Sequence, residues 1–308
     1  MILTTPLFYE LKRLFPHSKI NVLASAVNKD IPLNNSSVDN VIVFEKSPTG
    51  ILKLLKNLFG KSDIWIDTKD NYSRTSEYLV KTLKPKFSLG FNFDKKIFDI
   101  DLKDHTLCKH AVCINLSPIN FLDSSSHAGL MRPSYNIPRL VKNKFIDLFK
   151  NEDKLNLVVN VSAGNKSRYL SKELWIDVLN NIITSEIANV YLIGLQKDKD
   201  LIDNLLNNFN EGKISFIETS DIIETSQVIF KSDFVLTPDT SVVHICSAFN
   251  KPVIAVYPAP EWNLEKFRPL SEINEVVRSK NENDVKDADA EEISQKVIKT
   301  AERIRLKN

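Results

Sequence analysis

Apolar residues along this chain recur with two different periods, and the two kinds of segment alternate. Leu3, Leu7, Leu11 and Leu14 lie on one face at helical spacing, and Pro16 stops the run. Short apolar stretches at 20–24, 41–44, 64–67 and 87–91 read as strands, with helices predicted between them at 51–59 and 72–83. From 95 to 140 the pattern is less regular, with Pro118, Pro133, Pro138 and the serine run 124–126, and it reads as loops and one helix followed by a linker. A helix at 145–149 is expected to lead into the second half.

The second half is cleaner. Residues 155–161 read as a continuous apolar strand, and 190–193, 214–217, 234–237 and 253–257 as further strands, separated by helical patterns at 172–183, 200–209 and 222–230. The tail from 291 to 306 is amphipathic through Ile293, Val297, Ile298 and Ile304. Strands apolar on both faces, alternating with helices, imply parallel sheets covered on both sides. The expectation is an α/β protein of two doubly wound domains, 1–140 and 141–308.

Composition narrows the function without naming it. The 308 residues suffice for two domains of ordinary size, and 43% hydrophobic content with 26% charged content fits packed cores under a polar surface. A net charge of +2 gives no strong field, so nucleic acid is not the expected partner. Cys108, Cys113 and Cys246 are odd in number and form no CxxC pair, which argues against a disulfide frame or zinc site and for a reducing compartment. No apolar run approaches the ~20 residues of a membrane span, and no signal peptide is read at the start. The expected location is cytoplasmic, with the inner membrane face as the place of any contact.

The densest chemistry lies in Thr237-Pro238-Asp239-Thr240-Ser241-Val242-Val243-His244, which reads as the end of a strand, a tight turn and a helix start. Backbone N–H groups of Thr240, Ser241 and Val242 would open that helix without intrahelical acceptors, a setting that favours an anion. Asp239 and Thr240 are suitable caps, and His244 lies one turn on. For Asp239 a purely capping role is the plainer alternative, and for His244 a core histidine bonded to backbone. A second group, Asn160-Val161-Ser162-Ala163-Gly164-Asn165 followed by Lys166 and Arg168, combines small residues with cations and suits a phosphate. Its plainer alternative is a solvated loop. Beyond the strand at 253–257, the loop 258–267 carries Glu261, Trp262, Asn263 and Lys266 in a position suited to nucleotide or sugar recognition. Asp99-Ile100-Asp101 spells DxD, yet lies away from any clear strand end. His105, His110 and His127 have no ligand spacing, so no metal is expected. Neither GxxxxGK[ST] nor GxGxxG occurs.

The segment from Asp239 to Pro252 resembles the C-terminal signature of glycosyltransferase family 9, the bacterial heptosyltransferases of lipopolysaccharide core assembly. Asp239, Thr240, Ser241, His244, Lys251 and Pro252 meet that pattern, with Cys246 where alanine is usual. Glu173 and Trp175 match a second family segment, which sets Arg168 where the family carries a phosphate-contacting lysine, with Lys166 as the rival cation. The resemblance runs from Met1 to about Ser271. It implies a GT-B-like fold, two Rossmann-like domains facing a cleft, and inverting, metal-independent transfer of a sugar, plausibly heptose, from a nucleotide-diphosphate donor to a lipopolysaccharide core or related glycan. It assigns catalytic roles to Arg168 and His244, and donor contacts to Ser162, Gly164, Lys166, Asp239, Thr240, Ser241 and Glu261. No cofactor is implied beyond the nucleotide sugar, and the first domain would hold the acceptor.

Against the same family, Met1-Ile2-Leu3-Thr4-Thr5-Pro6 matches from the middle of the usual N-terminal region. The resemblance therefore implies that the first strand of the N-terminal domain, and the aspartate that usually follows it as general base, are missing. Asp67, at the end of another first-domain strand, is a candidate substitute. A binding protein for nucleotide sugars that lacks turnover is the alternative, and a GT-B epimerase or other transferase the third class.

Overall fold

Residues 1–45, 47–125, 128–149 and 154–307 are described by the structure, a computed structural model. Ser126 and His127, both noted above, lie outside the described residues. The chain divides into two compact units, 1–136 and 137–308.

Unit 1 runs through α1 (Thr5–Leu14), β1 (Asn21–Ala24), α2 (Asp30–Leu33), β2 (Asn40–Val43), α3 (Pro48–Leu58), β3 (Ile64–Ile66), α4 (Arg74–Leu83), β4 (Phe87–Gly90), β5 (Ile100–Asp101) and α5 (Ala111–Leu122). Its strands are parallel, as the alternation implies, but among the described residues they form two sheets, β1–β2 and β3–β4–β5. The sheets are joined through helices rather than a ladder: Leu54 of α3 with Leu79 and Leu83 of α4 gathers Leu23 and Ile42 from one sheet and Trp65 from the other.

In this unit one proline is accommodated within a helix, and one expectation, about the cysteines, is corrected. Pro118 does not interrupt α5, because the Ser117 hydroxyl donates to the Ile114 carbonyl at 2.7 Å, the group that the missing proline N–H leaves without its helical donor. Cys108 and Cys113 form a disulfide, since one leads into α5 and the other sits in its first turn, Cα atoms 5.5 Å apart. An odd count of cysteines does not prevent two of them from pairing; Cys246 is the free one, buried in unit 2.

Unit 2 contains α6 (Arg139–Lys144), β6 (Leu155–Asn160), α7 (Lys172–Thr184), β7 (Ala188–Ile193), α8 (Lys199–Asn207), β8 (Ile214–Phe216), α9 (Ile222–Lys231), β9 (Phe234–Pro238), α10 (Ser241–Ala248), β10 (Val253–Tyr257), α11 (Glu261–Phe267), β11 (Asn274–Arg278) and α12 (Ala290–Arg305). The helix expected at 145–149 is absent: α6 ends at Lys144, and Phe149 adopts a left-handed φ of 62° that no helix continues through. Six parallel strands form one sheet in the order β11-β10-β9-β6-β7-β8. Alternate residues of the central strands, Leu157 and Val159, Phe234 and Leu236, Ile254 and Val256, join Trp175, Leu179, Ile202 and Ile293 in one core with α7, α8 and α12. The intervening residues Val158, Val235, Val253 and Ala255 are also fully buried, which is why these strands carry unbroken apolar runs.

Candidate functional site

The strand order of unit 2 reverses between β6 and β9. The chain leaves β6 for β7 and β8 on one side, then crosses to β9 and β10 on the other. In open parallel sheets the loops on either side of such a reversal part, and ligands settle outside the carboxyl ends of the strands there. The two motifs singled out in the sequence follow β6 and β9.

A buried amide ties these two strand ends together. Asn160, the last residue of β6, donates through Nδ2 to the Ser162 carbonyl at 3.0 Å and the Thr237 hydroxyl at 3.0 Å, with the Thr240 hydroxyl at 3.3 Å. Beyond it the loop is supported from below. Tyr169 donates its hydroxyl hydrogen at 2.6 Å to the Ala163 carbonyl, which also accepts from Lys197 Nζ. Ser162 Oγ accepts the Leu195 N–H at 2.8 Å, in a space that exists because residue 194 is glycine: a Cβ there would meet that hydroxyl oxygen at 2.8 Å. The loop then makes a short 3-10 turn, Lys166–Arg168, capped by the Asn165 side chain on the Ser167 N–H.

Arg168 ends this turn, and its Nη2 lies 3.2 Å from Oδ2 of Asp239. Asp239 follows the last residue of β9 and is 2% exposed; the Arg168 side chain remains a third exposed. Asn263 of α11, also 2% exposed, donates through Nδ2 to the same Oδ2 at 2.6 Å. Burial pushes the Asp239 carboxyl above its ordinary range, against the opposing pull of Asn263 and then Arg168. Beneath them Tyr257 of β10 donates to the Phe267 carbonyl, and burial raises its phenol well above the usual value.

The helix start next to this cluster differs from expectation in its details. Thr240 is the cap, its hydroxyl accepting the Val242 N–H at 3.2 Å, so Val242 offers no open amide. Asp239 does no capping, because Arg168 and Asn263 occupy its carboxylate. The amides of Thr240 and Ser241 carry no hydrogen bond among the described residues and remain available to an anion. His244 lies one turn on, half-buried, with its ring 6.1 Å from that of Phe267.

The remaining candidates are placed less centrally. Lys166 is exposed at the start of the turn, and Gly164 is exposed with open space where a Cβ would point. The expected loop at 258–267 is largely helix α11, and Glu261 at its start pairs with Arg278 at 2.6 Å rather than joining Asp239. The cluster brings together Arg168, Asp239 and the Thr240–Ser241 turn; Asn160 and Asn263, expected only as members of a phosphate-suited group and a recognition loop, hold structural contacts to the strand ends and to Asp239. A polar residue closing an apolar strand was the available signal for Asn160. No local signal marks Asn263.

In unit 1 the DxD carboxylates are used locally. Asp99 accepts from the Ser88 N–H and hydroxyl, and Asp101 from the Lys103 N–H. No cluster of three or more potential metal-ligating side chains occurs among the described residues.

Two open amides thus stand beside a buried carboxylate and a partly exposed guanidinium. The sequence model of glycosyltransferase family 9 (heptosyltransferase) matches residues 127–298, more than half of the chain and nearly all of unit 2. The chain belongs to glycosyltransferase family 9.

Relatives agree with this placement. A putative lipopolysaccharide heptosyltransferase 4 of Escherichia coli is 26% identical over 258 residues, covering 79% of this chain and 68% of its own. The structure is similar to a family 9 glycosyltransferase of Veillonella parvula, with TM-score 0.79, 16% identity and coverage of 100% and 94% of the two chains. It is also similar to E. coli heptosyltransferase WaaC with ADP, with TM-score 0.74, 16% identity and coverage of 97% and 95%. The fold is the GT-B fold of these family 9 enzymes, and the chain is a glycosyltransferase of heptosyltransferase type. Within the family signature, Trp175 is fully buried beneath the sheet, which fixes α7 and hence the turn that ends in Arg168. Lys251 donates from Nζ to the Ser232 carbonyl and so ties the start of β10 to the start of β9. No helix among the described residues is long and apolar enough to cross a membrane.

Proposed function

We propose that this family 9 glycosyltransferase moves a heptose from a nucleotide-diphosphate donor onto a lipopolysaccharide core or related glycan, with inversion and without a metal ion, at the cytoplasmic face of the inner membrane. The observation that carries the reading is the approach of Arg168 to the Asp239–Thr240–Ser241 turn, 3.2 Å at its nearest. The donor diphosphate lies on the open amides of Thr240 and Ser241, and Arg168 turns onto it. His244 assists from the same helix. Lys166 adds positive charge at the outer edge, and the backbone around Ser162 and Gly164 lines the approach.

In the transfer step an acceptor hydroxyl oxygen bonds to the anomeric carbon as the bond from that carbon to the phosphate oxygen breaks. The electron pair leaves with the nucleoside diphosphate, and the hydroxyl proton passes to a base. Negative charge grows on the leaving diphosphate, where a guanidinium and fixed amides stabilise it, at a few kcal/mol for each well-aimed donor. Arginine suits this because it binds two phosphate oxygens at once and stays charged at any working pH.

The test is donor binding by calorimetry with ADP-heptose, alongside transfer to a lipopolysaccharide-core acceptor. Arg168→Ala and His244→Ala should each weaken donor binding, by at least about tenfold for Arg168, the loss of one charge-assisted contact of ~1.5–3 kcal/mol. Unchanged affinity in both variants would remove the site.

A further inference from the structure

We propose that Asn263 is a positioning residue of the donor site: it holds the buried Asp239 carboxylate in place when Arg168 leaves that carboxylate for the donor's diphosphate. The inference rests on the donor reading above and goes beyond it.

Three observations lead there. Arg168 and Asn263 both meet Asp239 at Oδ2, at 3.2 Å and 2.6 Å, so the two donors share one oxygen. They differ in freedom: Arg168 ends a surface turn and keeps a third of its side chain exposed, whereas Asn263 is 2% exposed. One is able to rotate onto a ligand, and the other stays. Further, Oδ1 of Asn263 is buried without a hydrogen-bond partner among the described residues, so the orientation of this amide is set by its bond to Asp239 alone.

Neither side chain is needed for local structure. The start of α11 follows Pro260 with no side-chain cap, and the Asn263 main chain reaches the Pro260 carbonyl without help from the amide. The start of α10 is capped by Thr240, which spares Asp239. A buried carboxylate and a half-satisfied buried amide, neither of them capping a helix and both adjoining the proposed anion site, fit a role in ligand exchange.

The consequence is electrostatic. The titratable groups that act on or with Asp239 are Arg168 on the turn and Tyr257 on β10, with Cys246 of α10 beside Tyr257; burial holds both the Tyr257 phenol and the Cys246 thiol neutral. Burial pushes the Asp239 carboxyl up, and Asn263 and Arg168 oppose it. Once Arg168 moves to the diphosphate, Asn263 is the remaining donor. Without Asn263 the bare carboxylate takes up a proton from solvent as the donor binds. Its affinity for protons is then higher in the complex than in the free protein, so donor affinity is retained at low pH and lost as pH rises, by at most about tenfold per pH unit.

The test is calorimetry of the full chain with ADP-heptose, whose diphosphate diester does not titrate near neutrality, in two buffers of different ionisation enthalpy between about pH 6 and 8. The native protein should bind with almost no proton uptake and nearly constant affinity. Asn263→Ala should take up close to one proton and lose affinity toward high pH, Asn263→Ser should restore part of the native behaviour, and an added Asp239→Asn change should abolish the pH slope. Proton uptake by the native protein, or an Asn263→Ala variant as flat as the native protein, overturns the inference. The native measurement decides even if Asn263→Ala does not fold. No effect of Arg168→Ala on donor affinity would instead bring down the donor reading itself.

Discussion

Asn160 and Thr240 stand eighty residues apart in the chain, yet the amide of one lies 3.3 Å from the hydroxyl of the other. That contact exists because β6 and β9, distant in sequence, pair directly through Leu157–Phe234 and Val159–Leu236. It brings the loop that ends in Arg168 to the turn that begins at Asp239.

Replacing Asn160 by alanine leaves the hydroxyls of Thr237 and Thr240 and the Ser162 carbonyl without their shared donor. The expected loss of stability is about 1–3 kcal/mol, the penalty for buried polar groups left unpaired. Chemical denaturation gives the number. Donor affinity should fall alongside, since both loops of the site depend on this amide.

Asp239→Asn separates stability from function. Burial raises the carboxyl, so ionised Asp239 is a burden on the fold at neutral pH. The sign follows: a raised folded value means that the native protein is favoured at low pH and loses that advantage as pH rises through it. The asparagine variant should melt at the same temperature or a few degrees higher near pH 7, about 2–4 °C for each kcal/mol gained in a unit of this size. Its advantage over the native protein should shrink as pH falls, while sugar transfer is reduced. A variant that melts lower at pH 7 yet transfers normally would contradict both halves.

Trp175 offers a test of packing against hydrogen bonding. The side chain is fully buried and its Nε1–H has no partner among the described residues. Trp175→Phe should therefore cost little, under about 1.5 kcal/mol, because the lost volume is offset by removal of an unpaired donor. Trp175→Ala should cost about 3–5 kcal/mol through the cavity it opens. Urea midpoints of the two variants report the contrast.

The Cys108–Cys113 link closes a loop over the start of α5, its partners five residues apart. A loop this short restrains the unfolded chain by about 2 kcal/mol in the loop-entropy account. A reducing agent should lower the melting of unit 1 accordingly, and the double variant Cys108→Ser with Cys113→Ser should be insensitive to it. Mass spectrometry after thiol alkylation checks the pairing directly.

The sequence alone determined the character of unit 2. Its strands are buried on both faces, so Leu157–Val159 and Phe234–Leu236 had to be unbroken apolar runs, and such runs are visible without coordinates. It also determined the chemistry on offer, since Arg168, Asp239 and Thr240 stand in a motif whose local turn and helix start follow from short-range preferences.

Only the tertiary structure decided how those groups are used. Thr240 rather than Asp239 caps α10, and Arg168 rather than Lys166 meets the carboxylate, because a buried acid is claimed by whichever donors the fold delivers to it. Asn263 comes from a segment that read as a loop and turned out to be a helix, packed where no local pattern could place it. Pro118 and the paired cysteines follow the same rule: one hydroxyl in reach keeps a helix running, and one close pair of Cα atoms makes a disulfide. Local preferences fix elements through neighbours in sequence, while the partner of a polar group is chosen by strand order and burial, which are properties of the whole sheet.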